Sequence, residues 1–221
     1  MAEILAKLAS MSDILEKLIV LIIGWLLGLL GPAIVDGIRR KRENKLGRKA
    51  IHAEMHDLSG VLALVVYMVR LREGTVDREI MQWLKNCVDA DGRSEQFKKW
   101  SLNLATQLSW SDEELTNFAA FGTQQDGKTV VMQKYPVPLL DSRVAALWSF
   151  DTSFQRRLLE IRQLMHRLDD LVDRSRKLQD MTFTSLTDEN RALVEQNIMQ
   201  TISFYGQTAK QVVDKINALE G

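Results

Sequence analysis

Residues 18–35 form an uncharged apolar run, LIVLIIGWLLGLLGPAIV, and Arg39, Arg40, Lys41 and Arg42 follow almost at once. At the helical rise the run covers roughly 27 Å, close to a hydrocarbon slab of about 30 Å, with Ile14, Leu15 and Ile38 able to extend it. The pattern predicts a single transmembrane helix over residues 18–38. A cleaved signal peptide fits poorly, because Glu3, Lys7, Asp13, Glu16 and Lys17 leave no basic bias and no small-x-small site follows the run. A core helix of a soluble domain is seldom so long and so uniformly aliphatic. Through the segment 1–17 and into the start of the run, Ile4, Leu8, Met11, Leu15 and Leu18 recur at spacings of four and three. That is an amphipathic seam that can pack on its own copies or lie at the membrane interface.

Residues 39–221 carry the periodicity of a helical bundle. A helix is expected to continue from Asp36 to about Arg72, with Ile51, Met55, Leu58, Leu62, Val65, Val66 and Val69 on a broad apolar side. Its portion 61–69 is apolar all round and too short for a second crossing, which makes it the expected central buried helix. Glu73 and Gly74 end it. Thr75 is placed to cap a helix bearing Ile80, Trp83, Leu84 and Cys87, and Asp91-Gly92 turns into another with Phe97, Trp100, Leu104 and Leu108. Ser111 and Glu114 form a capping box opening a short helix that stops near Phe121-Gly122.

Residues 122–140 read as a hairpin or surface loop, on Asp126-Gly127, the β-rich TVVMQKY, Pro136 and Pro138. Asp141 or Ser142 is the expected start of the longest helix. There Phe154, Leu158, Ile161, Met165, Leu168 and Val172 alternate spacings of four and three without a miss, and Arg162 falls on the charged outer face. Thr187 caps a last helix in which Ile198, Ile202, Tyr205, Ala209, Val212, Ile216 and Leu219 repeat the pattern. Two such seams joined by a turn zip into an antiparallel hairpin. The expected fold class is all-α: a membrane helix followed by a cytoplasmic bundle of about five helices, with a long antiparallel hairpin at the C-terminus.

Composition adds an orientation. Basic and acidic residues balance at 29 each, so no global field points to nucleic acid, and no recognition module accompanies the basic cluster. The cluster from Arg39 to Lys49 instead places the C-terminal part in the cytoplasm by the positive-inside rule. Against anionic headgroups each of Arg39, Arg40, Lys41 and Arg42 contributes about 1 kcal/mol. Within the run, Gly24, Gly28 and Gly31 share a face that lets helices approach closely, which points to a homo-oligomer. The lone cysteine, Cys87, excludes an internal disulfide and falls on an apolar face as a small core residue.

Candidate chemistry is sparse. His52 and His56 stand one turn apart, a spacing that can chelate a metal, but Glu54 points off their face and no third ligand is evident; two solvent- or headgroup-facing histidines are expected. Arg48-x-x-x-His52 and Arg162-x-x-x-His166 fall short of the four-to-six-residue gap in the Arg/His pairs of HEPN ribonucleases. Trp83, Trp100, Trp110 and Trp148 sit at helix starts or on apolar faces, as packing residues do. No catalytic residue, metal or cofactor is assigned. The expected function is that of a single-pass membrane-anchored protein acting by self-association and contact with a cytoplasmic protein partner. Two alternatives are an oligomeric pore or membrane-disrupting effector of the bacterial antiphage kind, and a membrane-tethered HEPN-like nuclease.

Overall fold

The computed structural model describes residues 2–91, 95–123, 132–143, 147, 149–185 and 187–219, leaving aside the side chains of 2–15, 29–33, 91, 96 and 143. Among the described residues the regular structure is all helical: α1 (Ala2–Arg72), α2 (Arg78–Asp91), α3 (Glu95–Leu108), α4 (Asp112–Thr123), α5 (Pro138–Arg143), α6 (Thr152–Thr182) and α7 (Asp188–Asn217). The chain divides into two compact units, Met1–Lys49 and Ala50–Gly221, and α1 contributes to both. The all-α expectation holds. The membrane span is not established: among the described residues no helix is long and apolar enough to cross a membrane, and residues 29–33 of the apolar run lie outside the described side chains.

Local chemistry sets the helix ends of the second unit. After Arg72 the chain turns at Gly74, whose φ of 66° is left-handed and suits a residue without a Cβ. Thr75, the expected cap of α2, instead donates its hydroxyl back to Arg70 O at 3.4 Å. Asp77 is the cap, its Oδ1 accepting from Ile80 N at 2.8 Å. The capping box of α4 forms as expected: Ser111 N donates to Glu114 Oε2 at 2.7 Å, and Glu114 N donates to Ser111 Oγ at 3.2 Å.

The region around 122–140 fits the surface-loop reading in part, and the hairpin reading, which rests on Asp126-Gly127, falls outside the described residues. Residues 124–131 lie outside the description, residues 132–137 are irregular, and Pro138 opens the short α5. The longest helix of this unit therefore does not start at Asp141 or Ser142. It starts after Asp151, whose extended backbone breaks the helical path and whose side chain accepts from Phe154 N at 2.9 Å. Thr187 caps α7 as expected.

The core is the paired seam. Phe154, Leu158, Ile161, Met165, Leu168 and Val172 of α6 are all buried, as are Ile202, Tyr205, Ala209, Val212, Ile216 and Leu219 along α7. Ile51, Met55, Leu58, Leu62, Val66 and Val69 of α1 join them, but segment 61–69 is not buried all round. Val61 and Met68 are exposed, because helices cover only one side of α1 there. Cys87 is buried, with Asn217 Nδ2 3.8 Å from its Sγ, and desolvation pushes its thiol pKa up, the opposite of what a nucleophile needs. Trp100 meets Tyr67 edge-on at 5.8 Å and Trp110 meets Phe118 at 5.5 Å, so both pack; Trp148 lies outside the described residues.

Arg78 ties three helices at one point. Its guanidinium donates to Leu108 O at the end of α3, to Trp110 O after it, and to Asp112 Oδ1 at the start of α4, the last at 2.8 Å. The fixed fork of donors satisfies carbonyls that the end of α3 leaves over.

Two backbones come very close to the end of α1. A Cβ at Gly206 of α7 would lie 2.7 Å from Val69 Cγ1 and 2.9 Å from Val69 Cβ; one at Gly122 of α4 would meet Leu71 O and stand 2.6 Å from Leu71 Cδ1. Gly206→Ala and Gly122→Ala are each expected to destabilise the protein by about 1–3 kcal/mol, against the usual benefit of alanine in a helix. At Gly37 a Cβ meets nothing within 4 Å, so Gly37→Ala should leave stability unchanged or raise it. Thermal melts of the full chain in detergent, followed by circular dichroism, check the contrast.

Candidate functional site

Among the described residues the first unit presents a run of exposed apolar side chains. Exposure along residues 18–27 runs from 44% at Ile22 to 72% at Leu21, and Trp25 is 64% exposed. A contiguous run of exposed apolar side chains marks a candidate interaction surface. A Cβ at Gly24 or Gly28 would meet nothing within 4 Å, so that face is open to a neighbour; Gly31 falls outside the description. Beyond the run, Arg39 Nε donates to Glu43 Oε1 at 2.8 Å, while Arg40, Lys41 and Arg42 are exposed. An ion pair as open as Arg39–Glu43 is worth little, so the charges remain accessible.

In the second unit the histidines do not face solvent as expected. His52 stacks on Phe154 of α6, ring centroids 5.2 Å apart, and His56 Nε2 donates to Ala90 O of α2 at 3.3 Å. The two rings thus serve different neighbours, and among the described residues no group of three or more His, Cys, Asp or Glu could hold a metal. Arg162 and His166 do not make a nuclease pair either: Arg162 Nε donates to Asp141 Oδ1 at 2.9 Å, and His166 is exposed.

What the periodicity of single helices missed is the way segment 132–143 is strapped across the bundle. Glu54 is the first fastening: its two carboxylate oxygens accept from Leu139 N and Leu140 N, each at 2.8 Å. These are the first free amides of α5, and a carboxylate at a helix N-terminus also gains from the helix dipole. The signal lay in Val137 beside Pro138, since valine cannot cap and the amides need a remote acceptor. The other fastenings are Tyr205 Oη donating to Gln133 O at 2.7 Å, Lys134 Nζ donating to Asp173 Oδ2 at 2.7 Å, and Arg162 with Asp141. Between the strap and α1 lies a groove of about 630 Å³ with Ala53, Leu58, Val61, Pro136 and Leu139 among its walls.

The fastenings shift their own protonation. The hydrogen bond from Lys134 holds the Asp173 carboxyl below its ordinary value. Burial pushes the Tyr205 phenol well above its own, keeping it a donor. Asp169 on α6 moves the other way. Desolvation raises its pKa, Lys134 and His166 oppose that, and its Oδ1 is buried with no hydrogen-bond partner.

Glu54→Ala should leave the α5 amides without their acceptor. Loss of a cap worth about 0.5–2 kcal/mol corresponds to roughly 2- to 30-fold faster hydrogen exchange at Leu139 and Leu140, readable by mass spectrometry, with Glu54→Gln intermediate. For Asp169 the sign runs against ionisation. A folded pKa above the unfolded one means that the carboxyl favours folding in acid and loses that favour as the pH rises through the folded value. Asp169→Asn is therefore expected to raise Tm at about pH 7, with the gain disappearing below the ordinary aspartate value of about 3.9. A gain independent of pH would contradict the burial argument.

No protein family, curated protein or solved structure matches this chain, so its functional reading rests on these surfaces.

Proposed function

We propose that this protein is anchored in a membrane by α1 residues 18–38 and acts on the cytoplasmic face by self-association and contact with other proteins. The observation that carries the reading is the uncovered apolar surface of residues 18–27 followed by exposed Arg40, Lys41 and Arg42. Hydrocarbon removes the cost of exposing such a surface, and anionic headgroups match the charges that follow it. The open face at Gly24 and Gly28 supports close approach of a second copy's helix, with van der Waals contact between backbones as the driving term. The second unit, bound together through a continuous core, offers surfaces and no assembled set of catalytic groups among the described residues.

In a bacterial membrane preparation the full chain should resist extraction by alkaline carbonate and by high salt, which strip proteins held by charge alone. A reporter fused after Gly221 should be active only in its cytoplasmic form. Release by carbonate would reject the span, and external activity of the reporter would reject the orientation. Gly28→Ile should lower the mass measured by light scattering in detergent, while Leu27→Ala should not; equal masses would dispose of the glycine face.

A further inference from the structure

The free end of the α6–α7 hairpin leaves the core behind. Past Ser175 on α6 and before Val194 on α7 no described residue is buried, yet both helices continue, α6 to Thr182 and α7 from Asp188. This end is also apolar at its surface: Phe183 is 89% exposed, Leu193 51% and Met181 44%. A phenylalanine held open at a helix terminus gains nothing within this chain.

The charges of the two legs are segregated. From Asp173 to Asp180, α6 carries Arg174, Arg176 and Lys177 against Asp173 and Asp180, a net basic excess; from Asp188 to Glu195, α7 carries Asp188, Glu189 and Glu195 against Arg191, a net acidic excess. Among the described residues no ion pair joins one leg to the other, and the pair of Arg176 with Asp173, at 3.8 Å, stays within α6. The legs of one hairpin therefore do not neutralise each other, although they run side by side. A second copy turned by a two-fold axis brings the basic leg of each hairpin beside the acidic leg of the other, and encloses Phe183, Met181 and Leu193 between them.

We infer that the α6–α7 hairpin end is a homotypic docking element, pairing two copies of this chain in a four-helix contact. The inference deepens the self-association reading but uses a different surface from the glycine face, so the two can fail separately. Opposite charges on matched legs set which legs meet, and the apolar tip supplies the area that leaves water.

The test uses the full chain in detergent, in a Gly28→Ile background so that association through α1 does not mask the hairpin. One protein carries Arg174→Glu with Lys177→Glu, making both legs acidic; another carries Glu189→Lys with Glu195→Lys, making both basic. All four positions are exposed, so circular dichroism should show the parent helicity. Each protein alone should self-associate at least about tenfold more weakly than the background by analytical ultracentrifugation at low salt, and an equimolar mixture should recover the dimer. Phe183→Ser should weaken association irrespective of salt. Unchanged dimerisation in both charge variants and in Phe183→Ser would overturn the proposal, as would a mixture that stays monomeric. An effect of Gly28→Ile with none from the hairpin variants would leave the glycine face standing and remove the hairpin contact; the reverse would remove the glycine face alone.

Discussion

Where α1 ends, Val69 and Leu71 stand so near the backbones of α7 and α4 that neither Gly206 nor Gly122 has room for a methyl group. Contacts of this kind are short-range and unforgiving, since an interior at near-crystalline density cannot absorb an added carbon without moving a helix. They bring the last turns of α1 and α4 and the middle of α7 to one place. With α7 held there, Tyr205 and Ile202 fall in line with the α6 seam. With α4 held there, the left-handed turn at Gly74 is closed over by Thr123, whose Cγ2 would lie 2.7 Å from any Cβ at that position.

Apolar burial supplies most of the driving force for such a bundle but is nearly indifferent to direction. Directed polar contacts choose where the irregular parts lie. Glu54 picks the start of α5 and Tyr205 picks Gln133, while Arg78 gathers the chain between α3 and α4. Asp169 shows the cost of the same crowding: the strap brings Lys134 near, but Lys134 bonds to Asp173, and Oδ1 of Asp169 is buried without a hydrogen-bond partner.

Once the seam is built, the apolar surfaces still exposed among the described residues include residues 18–27 in the first unit and the hairpin end in the second. Each has charge beside it, a basic cluster in one case and oppositely charged legs in the other. Several polar groups, by contrast, serve the packing: His52 stacks on Phe154, His56 and Arg78 bond to carbonyls, and Cys87 is buried.

The seams of α6 and α7 could be read directly, because a period of 3.6 residues is local and every inward position recurs within two turns. So could the caps at Ser111 and Thr187, where donor and acceptor are three residues apart. Thr75 misled because two capping side chains compete there, and which one meets the first free amide depends on how the turn at Gly74 leaves α1. The outer face of residues 61–69 and the partners of His52 and His56 are not legible in the sequence, because it says what can be buried and not which neighbour arrives. The glycine face, the basic cluster and the apolar run are sequence facts; that Gly24 and Gly28 are uncrowded is a property of the fold. Glu54 and α5 lie far apart along the chain, and so do Tyr205 and Gln133. No period links them, and only the packing of α1, α6 and α7 decides that they meet.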